Sequence, residues 1–188
     1  MNQASSGLAA LAVLAMLGGC ALPRPPFAAL PPDSVEGAGD PTRAAIITTA
    51  YAFGSPAILA NRPGEAAEAV ARLQFLAIEI PTGPRWISFN PLAGVLLEQG
   101  AAKARAFLGV APDAPPQAVI DGLFAVRRAM AIGDLAEARA VLNPAVFTAG
   151  DTETLMRLGS LPPIPEAMMG ASLAQREMNR NQLERVGR

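Results

Sequence analysis

Protein catalysis draws most often on histidine, a thiolate or converging carboxylates, and this 188-residue chain has no histidine and a single cysteine. The commonest general base and the commonest transition-metal ligand are therefore missing, and one thiol makes neither a metal-holding cluster nor an internal disulfide. No metal and no cofactor is expected. What is left for nucleophilic chemistry is a Ser-Lys pair, for which Lys103 is the one lysine and Ser88 its natural partner. The bland reading of Lys103 is a solvated charge on a helix. Glu65, Glu68 and Glu79 are spaced as outward-facing helix residues, and Asp151 and Glu153 belong to a helix start, where negative charge favours the macrodipole. Nothing sets two carboxylates across one cleft, as glycoside hydrolysis needs. For recognition rather than catalysis, Arg85-Trp86 forms a candidate edge, an aromatic anchor beside a planar cation. A lone Trp in a chain with 5% aromatics also serves to cap a core beneath a loop. Met168, Met169 and Met178 suit an adaptable apolar surface or ordinary packing equally.

The elements that must position these residues read as helices. Asp40-Pro41 is an N-cap followed by proline in the first turn, opening a helix to about Phe53 with Ala44, Ile47 and Tyr51 on one face and Thr48 beside them. Gly54-Ser55-Pro56 ends it, and a short helix over Ala57 to Asn61 follows. From Glu65 to about Ile80, Ala66, Val70, Leu73, Ala77 and Ile80 recur at helical spacing, away from Glu65, Glu68 and Arg72. The stretch Pro81 to Phe89 breaks the pattern, with Trp86 to Phe89 as a candidate short strand. Asn90-Pro91 starts the next helix, to about Leu108, with Leu92, Val95 and Leu96 on one face. Asp113 to Pro116 starts another, carrying Val119, Leu123, Val126 and Met130 and stopped by Gly133. Asp134 to Glu137 has the form of a capping box and begins a helix ending near Leu142. Short and long helices follow over Asp151 to Leu158 and Pro165 to about Val186, the latter with Ala167, Ala171, Ala174 and Met178 on one side. The fold class expected is all-α: one helical domain over 41–188, as an irregular bundle or a short stack of helical hairpins.

The stack is suggested by an echo in the sequence. Ala136 to Leu142 matches Ala102 to Leu108 at an offset of 34, with a weaker copy at Ala69 to Arg72. Gly133 to Ala138 resembles the junction between the two helices of a tetratricopeptide repeat, which implies a concave face that binds peptides or partner proteins.

Ahead of the domain, the apolar run Leu8 to Leu17 is too short to span a bilayer as a helix and leads into Leu17-Gly18-Gly19-Cys20. This resembles the type II signal peptide and lipobox of bacterial lipoproteins. The resemblance implies cleavage between Gly19 and Cys20, acyl chains on Cys20, and attachment of the mature protein to a lipid bilayer. Each buried methylene contributes about 0.8 kcal/mol, so two or three chains make release negligible. Ala21 in place of aspartate implies the periplasmic face of the outer membrane, with the inner membrane or secretion as alternatives. Residues 1–19 are then the signal peptide. Residues 20–40, with Pro23, Pro25, Pro26, Pro31, Pro32, Gly37 and Gly39, read as an extended spacer. Formal net charge is −1 with both signs interleaved, so no nucleic-acid partner is expected. The function expected is a lipid-anchored cell-envelope protein with a non-catalytic binding or scaffold domain and an envelope protein or peptide as partner. The alternatives are a small envelope hydrolase acting on peptidoglycan or peptide through carboxylates or Ser88 and Lys103, and a structural subunit of an envelope complex.

Overall fold

Proline opens five of the helices in the computed structural model, which describes residues 27–34 and 39–186. Among the described residues there are seven helices: α1 (Pro41–Gly54), α2 (Pro63–Thr82), α3 (Pro91–Leu108), α4 (Pro116–Ala131), α5 (Leu135–Ala140), α6 (Asp151–Gly159) and α7 (Pro165–Val186). At a first helical position the missing N–H has no intrahelical partner to lose, and the ring presets φ. Side chains cap what remains. Asp40 accepts from the amides of Thr42 and Arg43 at 3.1 and 3.2 Å, Asn90 from Leu92 at 3.0 Å, and Asp134 from Glu137 at 2.9 Å. At Asp134 the box is only half used, because its own N–H donates to the Ala129 carbonyl at 2.9 Å, closing α4 around Gly133 at φ +75°.

The fold is all-α, and the strand-like pairing within the described residues is one isolated bridge, Val110 with Phe147. Helices α1, α2, α3 and α7 pack in a ring, each against its two neighbours, to form a four-helix core. Helix α4 lies on the outer side of α2, α5 packs on α4, and α6 packs on α2. Helix α2 is consequently buried on most of its circumference, including Ala66, Ala67, Val70, Leu73, Leu76 and Ile80. Its buried Gln74 donates to the Ala101 carbonyl at 3.0 Å.

The close side of this ring is built from small residues. Helix α3 turns Ala93, Gly94, Leu97, Gly100, Ala101 and Ala104 inward, and α7 meets it with Ala167, Gly170, Ala171 and Ala174. A Cβ on Gly100 would stand 2.7 Å from the Ala167 nitrogen, and one on Gly170 2.8 Å from the Leu97 nitrogen. The backbones therefore touch. This reverses the face expected of α3: Leu92 and Val95 are exposed because the seam selects the smallest residues, which an apolar-periodicity reading passes over. Helix α1 behaves likewise, burying Ala45, Ile46, Thr49, Ala50 and Phe53 while Ile47 and Tyr51 are 45% and 67% exposed.

Three further expectations are corrected. Helix α2 does not stop before Pro81 but runs through it, because a proline in the last turn forfeits a single bond, and Thr82 Oγ1 donates back to the Ile78 carbonyl at 2.6 Å. Residues Pro84–Trp86 form a 3-10 turn in place of a strand, and Pro56–Ile58 another in place of the helix expected up to Asn61, whose φ is 59°. The three echoed segments fall in the middle of α2, at the end of α3 and in the six-residue α5, positions that are not equivalent in the bundle.

Part of the stretch read as a spacer lies on the domain. The Ala29 backbone exchanges two hydrogen bonds with the Gln117 carboxamide, 2.8 and 3.1 Å, Leu30 packs against the core, and Asp33 pairs with Arg128 at 3.2 Å. Cys20 and the signal-like run lie outside the described residues.

Candidate functional site

The residues singled out for chemistry do not meet. Lys103, on α3, donates to Glu166 at 2.6 Å near the start of α7, whereas Ser88 Oγ accepts from Asn181 at 2.9 Å near its end. Those two partners are fifteen residues apart on one helix, about 22 Å along the axis at 1.5 Å per residue. The hydrogen bond from Lys103, followed by one from its own backbone amide, holds the Glu166 carboxyl below the usual carboxylate range.

The Arg85-Trp86 pair is intact as a pair. Trp86 is 4% exposed, stacks edge-on to Phe89 at 5.1 Å and donates from Nε1 to Glu79 at 2.9 Å, so the ring caps the core. Arg85 lies over that ring at 4.5 Å and is tied to Asp40, the N-cap of α1. What this loop offers to solvent is the Arg85 guanidinium and Ile87, 90% exposed. Met178 is in the core, and Met168 and Met169 are on the surface.

A wider concavity than the one beside Trp86 lies elsewhere, over α2 with α1 and α4 on either side. Three helical stripes line it, each repeating at three and four residues: Ala44, Thr48 and Tyr51 from α1, Glu65, Glu68 and Arg72 from α2, and Phe124, Arg127, Arg128 and Ala131 from α4. The groove has two lobes, of about 370 and 300 Å³, joined through Thr48, Glu68 and Arg72. Asp33 and Ser34 line the wider lobe, and Ile58, Leu59 and Arg62 the other.

Glu68 sits at the join and accepts from two arginines, Arg72 Nη2 at 2.7 Å and Arg127 Nε at 3.0 Å; Glu65 adds a looser contact to Arg127 at 3.5 Å. The two cations respond differently to the shared carboxylate. Burial lowers the Arg72 pKa from its ordinary value even against the pull of Glu68, while the hydrogen bond that Arg127 donates to Glu68 raises that of this more open cation. Arg72 also donates to the Ser34 carbonyl at 3.1 Å, and the Ser34 hydroxyl, on a residue 4% exposed, is buried without a hydrogen-bond partner among the described residues.

Sequence reasoning missed this site. Glu65, Glu68 and Arg72 were legible as residues outside the α2 stripe, and the adjacent cations Arg127-Arg128 were a usable signal, but nothing local says that α1 and α4 flank them. Among the described residues no cluster of His, Cys, Asp and Glu could hold a metal ion, and no helix is long and apolar enough to cross a membrane. No protein-family model, curated protein or solved structure matches this chain.

Proposed function

We propose that this chain is a lipid-anchored protein of the bacterial cell envelope whose helical domain is a non-catalytic binding or scaffold module. The observation that carries the binding half is the two-lobed groove over α2, one lobe between α1 and α4 and the other between α1 and Ile58–Arg62, with an apolar wall, a charged floor and an exposed tyrosine on its rim. Grooves of this size, apolar with a few convergent polar groups, are where proteins hold ligands or partner segments. The anchor half rests on Leu17-Gly18-Gly19-Cys20, and with Ala21 after the cysteine it favours a partner in the envelope, at the periplasmic face of the outer membrane. The ion-paired arrangement of Glu65 and Glu68 supports recognition, and the separation of Ser88 from Lys103 leaves that serine without the lysine as its base.

Two measurements test the halves separately. The intact mass of membrane-extracted protein is expected to lack residues 1–19 and to carry acyl chains that Cys20→Ala abolishes; an unmodified Cys20 ends the anchor reading. A photocrosslinking amino acid at Tyr51 is expected to capture an envelope component in cells where the same group at Ile87 does not. Equal capture at both positions would remove the groove as the binding surface.

A further inference from the structure

The wider lobe has a chemistry more specific than a groove. Three arginines line it, answered by Asp33 and Glu68 in the lining and by Glu65 beside Arg127, so its charges balance while its hydrogen-bond donors do not. The cations are under-used. A guanidinium has five donors. Among the described residues, Arg72 bonds only through Nη2, Arg127 through Nε and distantly Nη2, and Arg128 only through Nη1. Beside them the buried Ser34 hydroxyl has no hydrogen-bond partner among the described residues, a deficit that an acceptor reaching it would relieve. Phe124, Ala44 and Ala131 make the rest of the lining apolar.

Resting on the binding reading above, we propose that this lobe is an oxyanion site: it takes a carboxylate or phosphate monoester attached to a small apolar body. The oxyanion is held by the free donors of Arg72, Arg127 and Arg128 and by Ser34 Oγ, with the body against Phe124. Planar forks in a partly desolvated wall suit such a group because each can present two parallel N–H bonds to it. Glu68 is the internal counter-ion that keeps Arg72 and Arg127 in place when the lobe is empty.

The test uses the full chain in dodecylmaltoside micelles and three matched probes: phenyl phosphate, phenylacetate and the neutral phenylacetamide. Arginine Nε–Hε and backbone amide resonances are followed by NMR. Both anions are expected to give saturable shifts at Arg72, Arg127 and Ser34, with phenylacetamide failing to saturate. Arg128→Gln, at a half-exposed side chain that pairs with Asp33, is expected to weaken the anions about tenfold, and Ser34→Ala about threefold. The tighter of the two anions assigns the natural group as phosphate or carboxylate. Equal binding of phenylacetamide, or anion affinity indifferent to Arg128→Gln and Ser34→Ala, overturns the oxyanion site. If no probe saturates while crosslinking through Tyr51 persists, the oxyanion site falls alone; loss of both removes the groove itself.

Discussion

The α3–α7 seam and the α1–α4 groove are each a space between two amphipathic helices, and one closes while the other stays open. In the seam the facing positions are Gly94, Gly100, Ala101, Ala167, Gly170 and Ala174, and the backbones come together until a single Cβ no longer fits. In the groove the equivalent positions belong to Thr48, Tyr51, Glu68, Arg72, Phe124 and Arg127, whose length and charge hold the helices apart over α2. Residue size at three- and four-residue spacing decides which helix pairs become core and which become surface. Hydrophobicity alone does not: large apolar side chains on α1 and α3 lie on the open sides of their helices.

The comparison breaks most sharply at the seam. Gly100→Val pushes against backbone atoms of Ala167 that cannot move without shifting α7, and a loss of about 3 kcal/mol in urea unfolding is expected. An unchanged midpoint would mean that the seam is looser than its geometry. The groove is less demanding of shape and more of charge. Glu68→Gln removes the carboxylate shared by Arg72 and Arg127 and leaves Arg72 partly buried without its counter-ion, for a loss of about 2 kcal/mol. Lys103→Met, at the exposed edge of the seam, is expected to leave the urea midpoint nearly unchanged. Its clearer signature is in titration. Because the Glu166 pKa is depressed in the folded state, the stability it contributes is present above the ordinary carboxylate pKa and is lost as pH falls through the folded value. Without Lys103 the Glu166 carboxyl should titrate higher, read from its carbon-13 shift. Tyr51→Ser is expected to leave stability within about 0.5 kcal/mol in urea unfolding, as a rim residue should.

Helix starts were the most legible part of this fold, for a local reason: Pro41, Pro91, Pro116 and Pro165 act on their own residue's φ and N–H, and the caps at Asp40, Asn90 and Asp134 act within three residues. The stripes of α4 and α7 were legible too, since Val119, Leu123, Val126, Ala167, Ala171 and Ala174 face a core on one side only. The faces of α1 and α3 were not, because the seam rewards Gly and Ala that carry little hydrophobic signal. The groove was hidden for a different reason. Glu65, Glu68 and Arg72 look the same in sequence whether they face open water or the floor of a cleft, and only the placement of α1 and α4 distinguishes the two. Ser34 was read as part of a spacer, since its contact with Arg72 spans 38 residues.

That contact belongs to a segment with a mechanical consequence. Residues 27–34 are fastened to α4 at two separated points, the double amide bond between Ala29 and Gln117 and the Asp33–Arg128 pair, before the chain reaches α1. Tension arriving along the chain from its amino-terminal side is delivered to α4 and, through the Ser34–Arg72 bond, to α2, and α1 is shielded until these fasteners fail. A protein held at that end and loaded at the groove would bear the pull on α4 and α2 before any reached α1.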